Sequence, residues 1–195
     1  MAERMDRRVE RTKRSIYQAL VALSREEQPE RITVTALADR ANINRKTFYM
    51  YYAGIDDLLD QIETGLLEKY EPFICSVNAV SPEFDVYSFF RSSFGMIQED
   101  MAVWQMLNRY GRLLGLVERA KVLMVEHVLG QLERVGDPQE LRLYLEYAAA
   151  GVLSMLIEWI RNPVTTLEEF SDFLALITIG GYRAIRDRRN TTDRP

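Results

Sequence analysis

The spacing of apolar residues is the feature that most strongly constrains the fold of this chain. Apolar side chains recur at intervals of three and four residues, and no segment between turn residues sustains a polar–apolar alternation. The first spacing is the period of an α-helix, and the second is that of a half-buried strand. The sequence therefore predicts an all-α protein of about nine helices, in the segments 7–26, 34–41, 45–52, 56–70, 83–99, 101–110, 113–135, 138–161 and 166–187, with a frayed tail after 186.

The charges divide the chain into two parts. Residues 1–55 carry 11 basic and 7 acidic side chains, whereas residues 56–195 carry 14 and 22, and six of the basic residues lie between Arg4 and Arg14. A basic end on an otherwise acidic protein suits the binding of phosphate groups, although a solvated helix face would have the same composition. We therefore expect the two parts to meet different partners.

The cellular location is predicted from three absences in the sequence. The chain has a single cysteine, Cys75, so no internal disulfide can form, and its first fifteen residues do not have the pattern of a signal peptide. The longest nearly apolar run, Tyr147 to Ile157, is shorter than the roughly 18–20 residues of a membrane-spanning helix. The sequence predicts a cytoplasmic protein with no membrane partner.

Two short helices joined by a tight turn are predicted between residues 33 and 52. Thr33 and Asn44 are residue types that cap helix N-termini, and Asn42 interrupts the pattern between them. In the second helix Phe48 and Tyr52 are spaced to point inward, which leaves a basic, hydroxylic and aromatic outer face. This is the physical description of a helix-turn-helix, whose second helix enters the major groove of DNA.

The same stretch resembles a known family signature. The sequence ITVTALADRANINRKTFYMYYAGIDDLL, Ile32 to Leu59, resembles the DNA-binding signature of the TetR/AcrR family of bacterial transcriptional regulators. The rest of the chain is similar in size and pattern to that family's ligand-binding and dimerisation region. Residues 147–159, YAAAGVLSMLIEW, are similar to the subgroup that includes regulators and coactivators of dihydroxyacetone kinase operons. The resemblance implies a DNA-binding domain at 1–54 and an effector-binding and dimerisation domain at 55–195.

The resemblance also implies individual DNA contacts. Arg45 and Lys46 would approach base edges, where Arg and Lys donate to guanine O6 and N7. The remaining implied contacts are to phosphates, from Thr33, Thr35, Thr47, Tyr49 and Tyr51. The sequence departs from the family pattern at Asn42, Tyr51 and Ile55, where the family usually has a turn glycine, a histidine or similar polar residue, and a lysine. Because that lysine is lost, we expect the N-terminal arginines Arg4, Arg7, Arg8 and Arg11 to supply more of the nonspecific attraction to DNA.

The two C-terminal helices predict a dimer interface. Helix 138–161 is apolar nearly all round between Tyr147 and Ile157, and helix 166–187 has two apolar stripes, so one core cannot cover both. Two such helices from each chain would form a four-helix interface, although a single large core is the alternative. The predicted interface residues are Ala148, Gly151, Val152, Met155, Phe173, Ile177, Gly180 and Gly181.

Aromatic and methionine residues predict a pocket for a small apolar or aromatic effector. Such side chains suit an adaptable apolar cavity, although at helical spacing they are more often plain core. The candidate ligand contacts are Phe90, Phe94, Trp104, Tyr110, Met124, His127 and Tyr147. For His127, the only histidine, a place in the core or at an interface is the favoured alternative.

The sequence predicts neither enzyme chemistry nor a bound cofactor. One His and one Cys without carboxylates at ligand spacing give no metal site, and no acid, base and nucleophile can be assembled. The predicted function is a dimeric repressor that binds double-stranded DNA at a palindromic operator and is released by an effector. The alternative is a coactivator of the same fold that depends on a protein partner and senses no small molecule.

Overall fold

The computed structural model describes residues 2–79, 81, 83–132 and 138–192 and contains nine α-helices within them. A 3₁₀ turn at Pro29–Arg31 is the other helical element, and the described residues form no strand. The all-α prediction is confirmed. The helices are α1 (Ala2–Glu26), α2 (Val34–Arg40), α3 (Arg45–Tyr49), α4 (Ile55–Ser76), α5 (Val86–Glu99), α6 (Met101–Arg109), α7 (Leu113–Leu132), α8 (Pro138–Arg161) and α9 (Leu167–Thr192).

Several helix ends differ from the sequence prediction. α1 begins five residues earlier than predicted, and α4 continues through Pro72 to Ser76 instead of stopping at residue 70. α5 begins at Val86 because Asp85 caps it, accepting a hydrogen bond from the Tyr87 amide at 3.0 Å. α9 runs on to Thr192, so its predicted end at residue 187 was wrong, whereas the fraying of the tail stays a prediction. The predicted end of α7 at 135 lies outside the described residues.

The predicted second helix of the helix-turn-helix was also too long. α3 ends at Tyr49 rather than near Tyr52, because its last turn tightens. The Tyr51 amide bonds the carbonyl of Phe48, three residues back, at 3.0 Å. Tight turns of this kind are common at helix C-termini.

The residues form two compact units. The first unit consists of Met1–Glu68 and Ala102–Leu113, so it contains α1 to α3, most of α4 and nearly all of α6. Its core is built from large side chains that are almost fully buried. They are Ile16, Leu20, Leu37, Phe48, Leu58, Leu59, Met106, Leu107 and Leu113.

The second unit consists of Lys69–Met101 and Leu114–Pro195, with α5 packed along α9. Aromatic rings fill its interior: Phe94 lies 5.3 Å from Phe170, and Trp159 stacks on Phe170 at 5.5 Å between ring centroids. At the surface Arg91 of α5 donates to both carboxylate oxygens of Asp172 of α9, at 3.0 and 2.8 Å. These units are defined by contacts within the chain. The division into a DNA-binding domain at 1–54 and an effector-binding domain at 55–195 concerns function, and it stays a prediction.

Candidate DNA-binding surface

The turn between α2 and α3 is set by backbone hydrogen bonds at the end of α2. The Ile43 amide bonds the carbonyl of Ala38 at 2.9 Å, and the Asn42 amide bonds that of Asp39 at 3.1 Å. This pair of bonds is the Schellman motif, which needs a residue in the left-handed region at its turn. Asn42 occupies that position with a φ of 54°. Asparagine tolerates this conformation better than other residues with a Cβ, so it can replace the glycine that the family pattern has here.

Side chains cap the N-termini of both short helices, as the sequence predicts. The Thr33 hydroxyl accepts from the Ala36 amide at 3.2 Å, and the Asn44 carboxamide accepts from the Thr47 amide at 2.7 Å. The Thr47 hydroxyl also donates to the Asn44 oxygen, at 3.0 Å. A phosphate contact from the Thr47 hydroxyl would therefore require it to exchange this bond.

Two buried rings hold α3 on the first unit. Phe48 is fully buried and Tyr52 nearly so, and their ring centroids are 5.5 Å apart. Phe48 also makes an edge contact with Tyr49, whose ring is half exposed. Met50 on the outer side is 70% exposed. The inward and outward faces of this helix are those that the periodicity predicts.

The residues predicted to contact DNA lie at the surface of this unit. Thr33, Thr35, Arg45, Lys46 and Tyr49 are exposed, and Thr47 and Tyr51 are partly exposed. Arg45 and Lys46 occupy the first turn of α3, and neither has an acidic partner among the described residues. Recognition helices contact base edges through their N-terminal residues. The roles of all seven residues stay predictions.

Two other arginines of this unit donate hydrogen bonds to oxygen atoms of α1. Arg40 at the end of α2 forms a fork with Glu26 of α1, at 2.9 and 2.5 Å, and their hydrogen bond raises the pKa of Arg40 and lowers that of Glu26. Arg109 of α6 donates to the carbonyl oxygen of Ser24 near the end of α1. These bonds tie the end of α1 to α2 and α6.

Sequence reasoning missed the partner of the acidic side of α4. Arg112 donates to Asp60 at 2.5 Å, to Glu63 at 3.0 Å and to Asp56 at 3.0 Å. Burial disfavours the charged form of Arg112, but the three hydrogen bonds outweigh it, so the pKa of the guanidinium is raised. The three carboxylates are four and three residues apart and so share one helix face, which was a signal for a cationic partner. Nothing in the sequence identified that partner as a residue 49 positions from Glu63.

A second Schellman motif aims Arg112 at these carboxylates. Gly111 has a φ of 69°, its amide bonds the carbonyl of Asn108 at 3.0 Å, and the Arg112 amide bonds that of Leu107 at 2.9 Å. Glycine is the usual residue at such a position because a Cβ is disfavoured there.

The predicted effector contacts do not form one cluster. Phe90 and Phe94 are buried with ring centroids 5.6 Å apart in the second unit. Met124, also in the second unit, packs against the small core of Val77, Val128 and Tyr144.

The other candidate contacts have different surroundings. The ring Nε2 of His127 lies 2.8 Å from the carbonyl oxygen of Val77. Trp104 and Tyr110 belong to the first unit, and Tyr147 is 75% exposed. The Tyr110 hydroxyl is buried without a hydrogen-bond partner, and burial raises its pKa. Contact of any of these residues with an effector stays a prediction.

An apolar groove of about 400 Å³ lies in the second unit, where α8 ends and α9 begins. Trp159 and Phe170 form part of its wall, and the Trp159 indole donates to the carbonyl of Thr165 at 3.2 Å. Met155 and Phe173, two of the predicted interface residues, also line it. None of the candidate effector contacts does.

The predicted interface residues differ in how far they are exposed. Phe173 and Ile177 are each 49% exposed, Met155 is 37% exposed, and Gly151 and Gly180 are open to solvent. The other three, Ala148, Val152 and Gly181, are partly covered.

Gly181 has a close neighbour inside its own chain. A Cβ added there would lie 2.8 Å from the Tyr144 ring, whose hydroxyl donates to the carbonyl of Thr178. Its small size therefore serves packing of α8 against α9, and its place in an interface between chains stays a prediction.

Among the described residues, one segment of α8, Arg142–Arg161, is long and apolar enough to cross a membrane, by length and composition only. The sequence prediction considered only the nearly apolar run within it, Tyr147 to Ile157. No more than 22% of the most apolar window of this segment is buried within the chain. Most residues of this window are therefore not fully buried inside the chain.

No group of three or more His, Cys, Asp or Glu residues arranged to hold a metal ion occurs among the described residues. Cys75 is free and exposed.

Comparison with known proteins identifies the fold. No family model matches the sequence, and no curated protein matches it. Among solved structures, the chain is similar to the dihydroxyacetone kinase operon activator DhaS, with 18% identity, a TM-score of 0.60, and 87% of this chain and 94% of that one covered. It is also similar to the fatty acid degradation regulator FadR from Bacillus halodurans, with 16% identity, a TM-score of 0.66 and coverage of 88% and 96%. A third similar structure is that of a TetR-like transcriptional regulator from Rhodococcus sp. RHA1, with 16% identity, a TM-score of 0.62, and 88% of this chain and 96% of that one covered. The chain therefore has the fold of the TetR-like transcriptional regulators.

Proposed function

We propose that this protein is a transcriptional regulator that binds double-stranded DNA through α2 and α3. The observation that carries the proposal is the first turn of α3, where Arg45 and Lys46 are exposed and have no acidic partner among the described residues, on a helix anchored by the buried Phe48. The fold shared with known regulators supports it. Arg45 and Lys46 read base edges, and Thr33, Thr35, Thr47, Tyr49 and Tyr51 hold phosphates and so set the register on the duplex.

The protein acts as a homodimer in the cytoplasm. The exposed apolar side chains of α8 and α9 support this, because large apolar patches on soluble proteins mark interaction sites. A two-fold dimer presents two recognition helices about 34–36 Å apart, which matches a palindromic operator. The same arrangement accounts for the apolar character of α8 without a membrane.

A small apolar effector controls DNA binding, and the protein represses until the effector releases it. Phe90, Phe94 and Met124 support this because they are apolar side chains of the second unit, of the type that lines pockets for apolar ligands. The effector must bind a dimer geometry that fits DNA poorly, with a coupling free energy of about 1–3 kcal/mol. No catalytic role is proposed.

The alternative function is that of a coactivator which depends on a protein partner. One of the similar structures is named as an operon activator, which favours this alternative for the sign of regulation. The same α8 and α9 surface would then be available to the partner, and no small molecule would be sensed.

Selection of bound duplexes from a random DNA pool at about 150 mM salt tests the proposal, since nonspecific attraction is already partly screened there. We expect a two-fold symmetric site to be enriched. Arg45→Ala should lower affinity for that site by about 1–3 kcal/mol and relax the preference at one base pair per half-site. Arg183→Ala, an exposed arginine of the second unit, is the matched control. No enrichment by a folded dimer would contradict autonomous operator binding and favour the coactivator.

Sedimentation at several protein concentrations tests the dimer separately. Ile177→Glu places a charge on the predicted interface and should shift the protein towards the monomer. Val122→Glu on α7 is the matched control, because Val122 is 51% exposed but lies outside the predicted interface. An equal effect of both substitutions would contradict the proposed interface.

A further inference from the structure

The apolar groove where α8 ends and α9 begins has an aromatic wall that is held by contacts within the second unit. Trp159 and Phe170 are buried, and their rings stack with 5.5 Å between centroids. Phe94 of α5 supports Phe170 at 5.3 Å, and the Trp159 indole donates to the carbonyl of Thr165. Because the rings are already fixed, a ligand that binds against them would lose little affinity to the ordering of side chains.

The open side of the groove is apolar as well. Val164, Phe173 and Met155 line it and are 77%, 49% and 37% exposed. The volume of about 400 Å³ lies in the range of roughly 300–1,000 Å³ that is usual for small-molecule sites. The groove therefore has the size and lining for the hydrocarbon or aromatic body of a small molecule.

The charged groups at the groove are negative. Among the described residues that line it, Glu158 and Glu169 are acidic and none is basic. The carboxylate of Glu169 is held in place, because one of its oxygens accepts from the amide and the hydroxyl of Thr166 at 3.0 and 2.9 Å. These bonds lower the pKa of Glu169, so the side chain is charged at neutral pH. The groove thus combines an apolar wall with a negative edge.

The neighbouring arginines leave most of this negative charge in place. Arg161 approaches Glu158 only to 3.9 Å, and the two side chains are 55% and 72% exposed, so the pair is a weak one. Arg91 pairs with Glu168 and Asp172 of α9, and neither of these lines the groove. The charge at the groove is therefore complementary to a cation.

We propose that this groove binds a small organic cation, whose apolar body lies against Trp159 and Phe170 and whose ammonium group meets Glu158 and Glu169. Aromatic rings attract cations and pack against apolar bodies, so both parts of such a ligand find a partner. A carboxylate or phosphate on the same body would be repelled. The inference goes beyond the proposed function, because none of the candidate effector contacts lines this groove and binding here does not require DNA.

Three probes with one body and different heads test the charge preference. Phenylbutylamine, phenylbutanol and phenylbutyrate, each with the phenyl ring at the far end of the chain, carry a positive, a neutral and a negative head at neutral pH. Titration calorimetry on the full chain should show the amine binding about tenfold more tightly than the alcohol. The acid should bind more weakly than the alcohol.

The two tryptophans of the chain locate the binding. A nitrogen–proton NMR correlation spectrum has one indole peak for each, and the Trp104→Phe variant assigns them. The amine should shift the peak of Trp159 and leave that of Trp104, which lies in the first unit, in place.

Exposed positions supply variants that should keep the fold. Glu158→Gln combined with Glu169→Gln should reduce the affinity for the amine to that for the alcohol, whereas Glu71→Gln, at an exposed position of the second unit outside the groove, should not. Val164→Lys places an ammonium group of the protein itself at the groove and should weaken binding of the amine about tenfold. Val122→Lys on α7 is its matched control.

Three results would overturn the proposal. The first is equal affinity of the wild type for the amine and the alcohol, and the second is a shift confined to the Trp104 peak. The third is binding of the amine to a monomeric Ile177→Glu variant but not to a wild-type dimer, because a second copy of the chain would then occupy the groove. None of them bears on DNA binding, which the duplex selection tests separately.

Discussion

The three carboxylates of α4 depend on one guanidinium, and its removal gives the sharpest test of how the first unit is held together. Arg112→Met keeps the apolar stem of the side chain and removes the charge that contacts Asp56, Asp60 and Glu63. We expect this substitution to destabilise the protein much more than the loss of a surface ion pair would. The reason is the low exposure of the ion pair between Arg112 and Glu63.

The exposures of the partners set the magnitude. The side chains of Asp56 and Asp60 are 92% and 65% exposed, so their pairs lie largely in water, where such pairs contribute about 0–1 kcal/mol. Glu63 is 10% exposed and Arg112 is 25% exposed. A hydrogen bond to a charged group contributes about 1.5–3 kcal/mol, and a buried charge left without its partner costs more. We expect a loss of about 2–3 kcal/mol, which for a chain of this size lowers the Tm by about 4–12 °C.

Thermal unfolding followed by circular dichroism measures the loss, at one protein concentration because the stability of the proposed dimer would depend on concentration. Asp56→Asn is the matched control and should change the Tm by little. Glu63→Gln in the Arg112→Met background should recover about half of the loss, since it removes the buried charge that has lost its bonds to Arg112. A Tm of Arg112→Met within 1 °C of the wild type, or an equal loss in Asp56→Asn, would refute the reasoning.

Substitutions at four further positions have defined outcomes. Hydrogen bonds from the Ala53 amide and then from Gln61 hold the pKa of Asp57 below its ordinary value of 3.8. The stability that Asp57 contributes is therefore complete above that value and is lost as the pH falls through the folded-state pKa. Asp57→Asn should flatten the dependence of Tm on pH below about pH 4, and an unchanged dependence would contradict this. Asn42→Ala should lower the free energy of unfolding, measured in urea, by about 1–2 kcal/mol, because alanine is strained in the left-handed region. Asn42→Gly should not lower it, because glycine adopts that region freely. Equal stabilities of the two variants would count against the turn geometry. Gly181→Ala should lower the Tm because the new Cβ would lie 2.8 Å from the Tyr144 ring. The new Cβ of Gly180→Ala meets nothing within 4 Å, so this substitution should raise the stability of the monomer by about 0.5–1 kcal/mol. If Gly180→Ala also weakens the dimer in sedimentation, a close approach of two chains at this residue is supported.

The local parts of the candidate site could be predicted from the sequence, because they depend on neighbours within a few residues. The caps Thr33 and Asn44, the turn at Asn42 and the inward Phe48 all follow from residue type and spacing, and the structure has each of them. The helix ends were less accurate, since propensity does not show that α4 passes through Pro72.

The non-local parts could not be predicted in this way. Arg112 meets Asp60 across 52 positions of chain, and only folding brings them together. The candidate effector contacts share residue types but not surroundings: Tyr110 lies in the first unit, and Met124 lies in the second. Composition indicates only which residue types would suit a pocket for an apolar ligand. Whether these side chains converge in space depends on the fold, which composition does not show.

The division of the chain into units limits how this protein can be recombined. The chain passes between the two units after residues 68, 101 and 113, so the helix-turn-helix unit is completed by a segment that follows α5 in the sequence. A fragment that ends at Glu68 would lack the buried Leu107 and the guanidinium of Arg112. A chimera that exchanges the second unit therefore has to retain residues 102–113 together with residues 1–68. A graft made at a single junction would combine segments of the first unit from two different proteins.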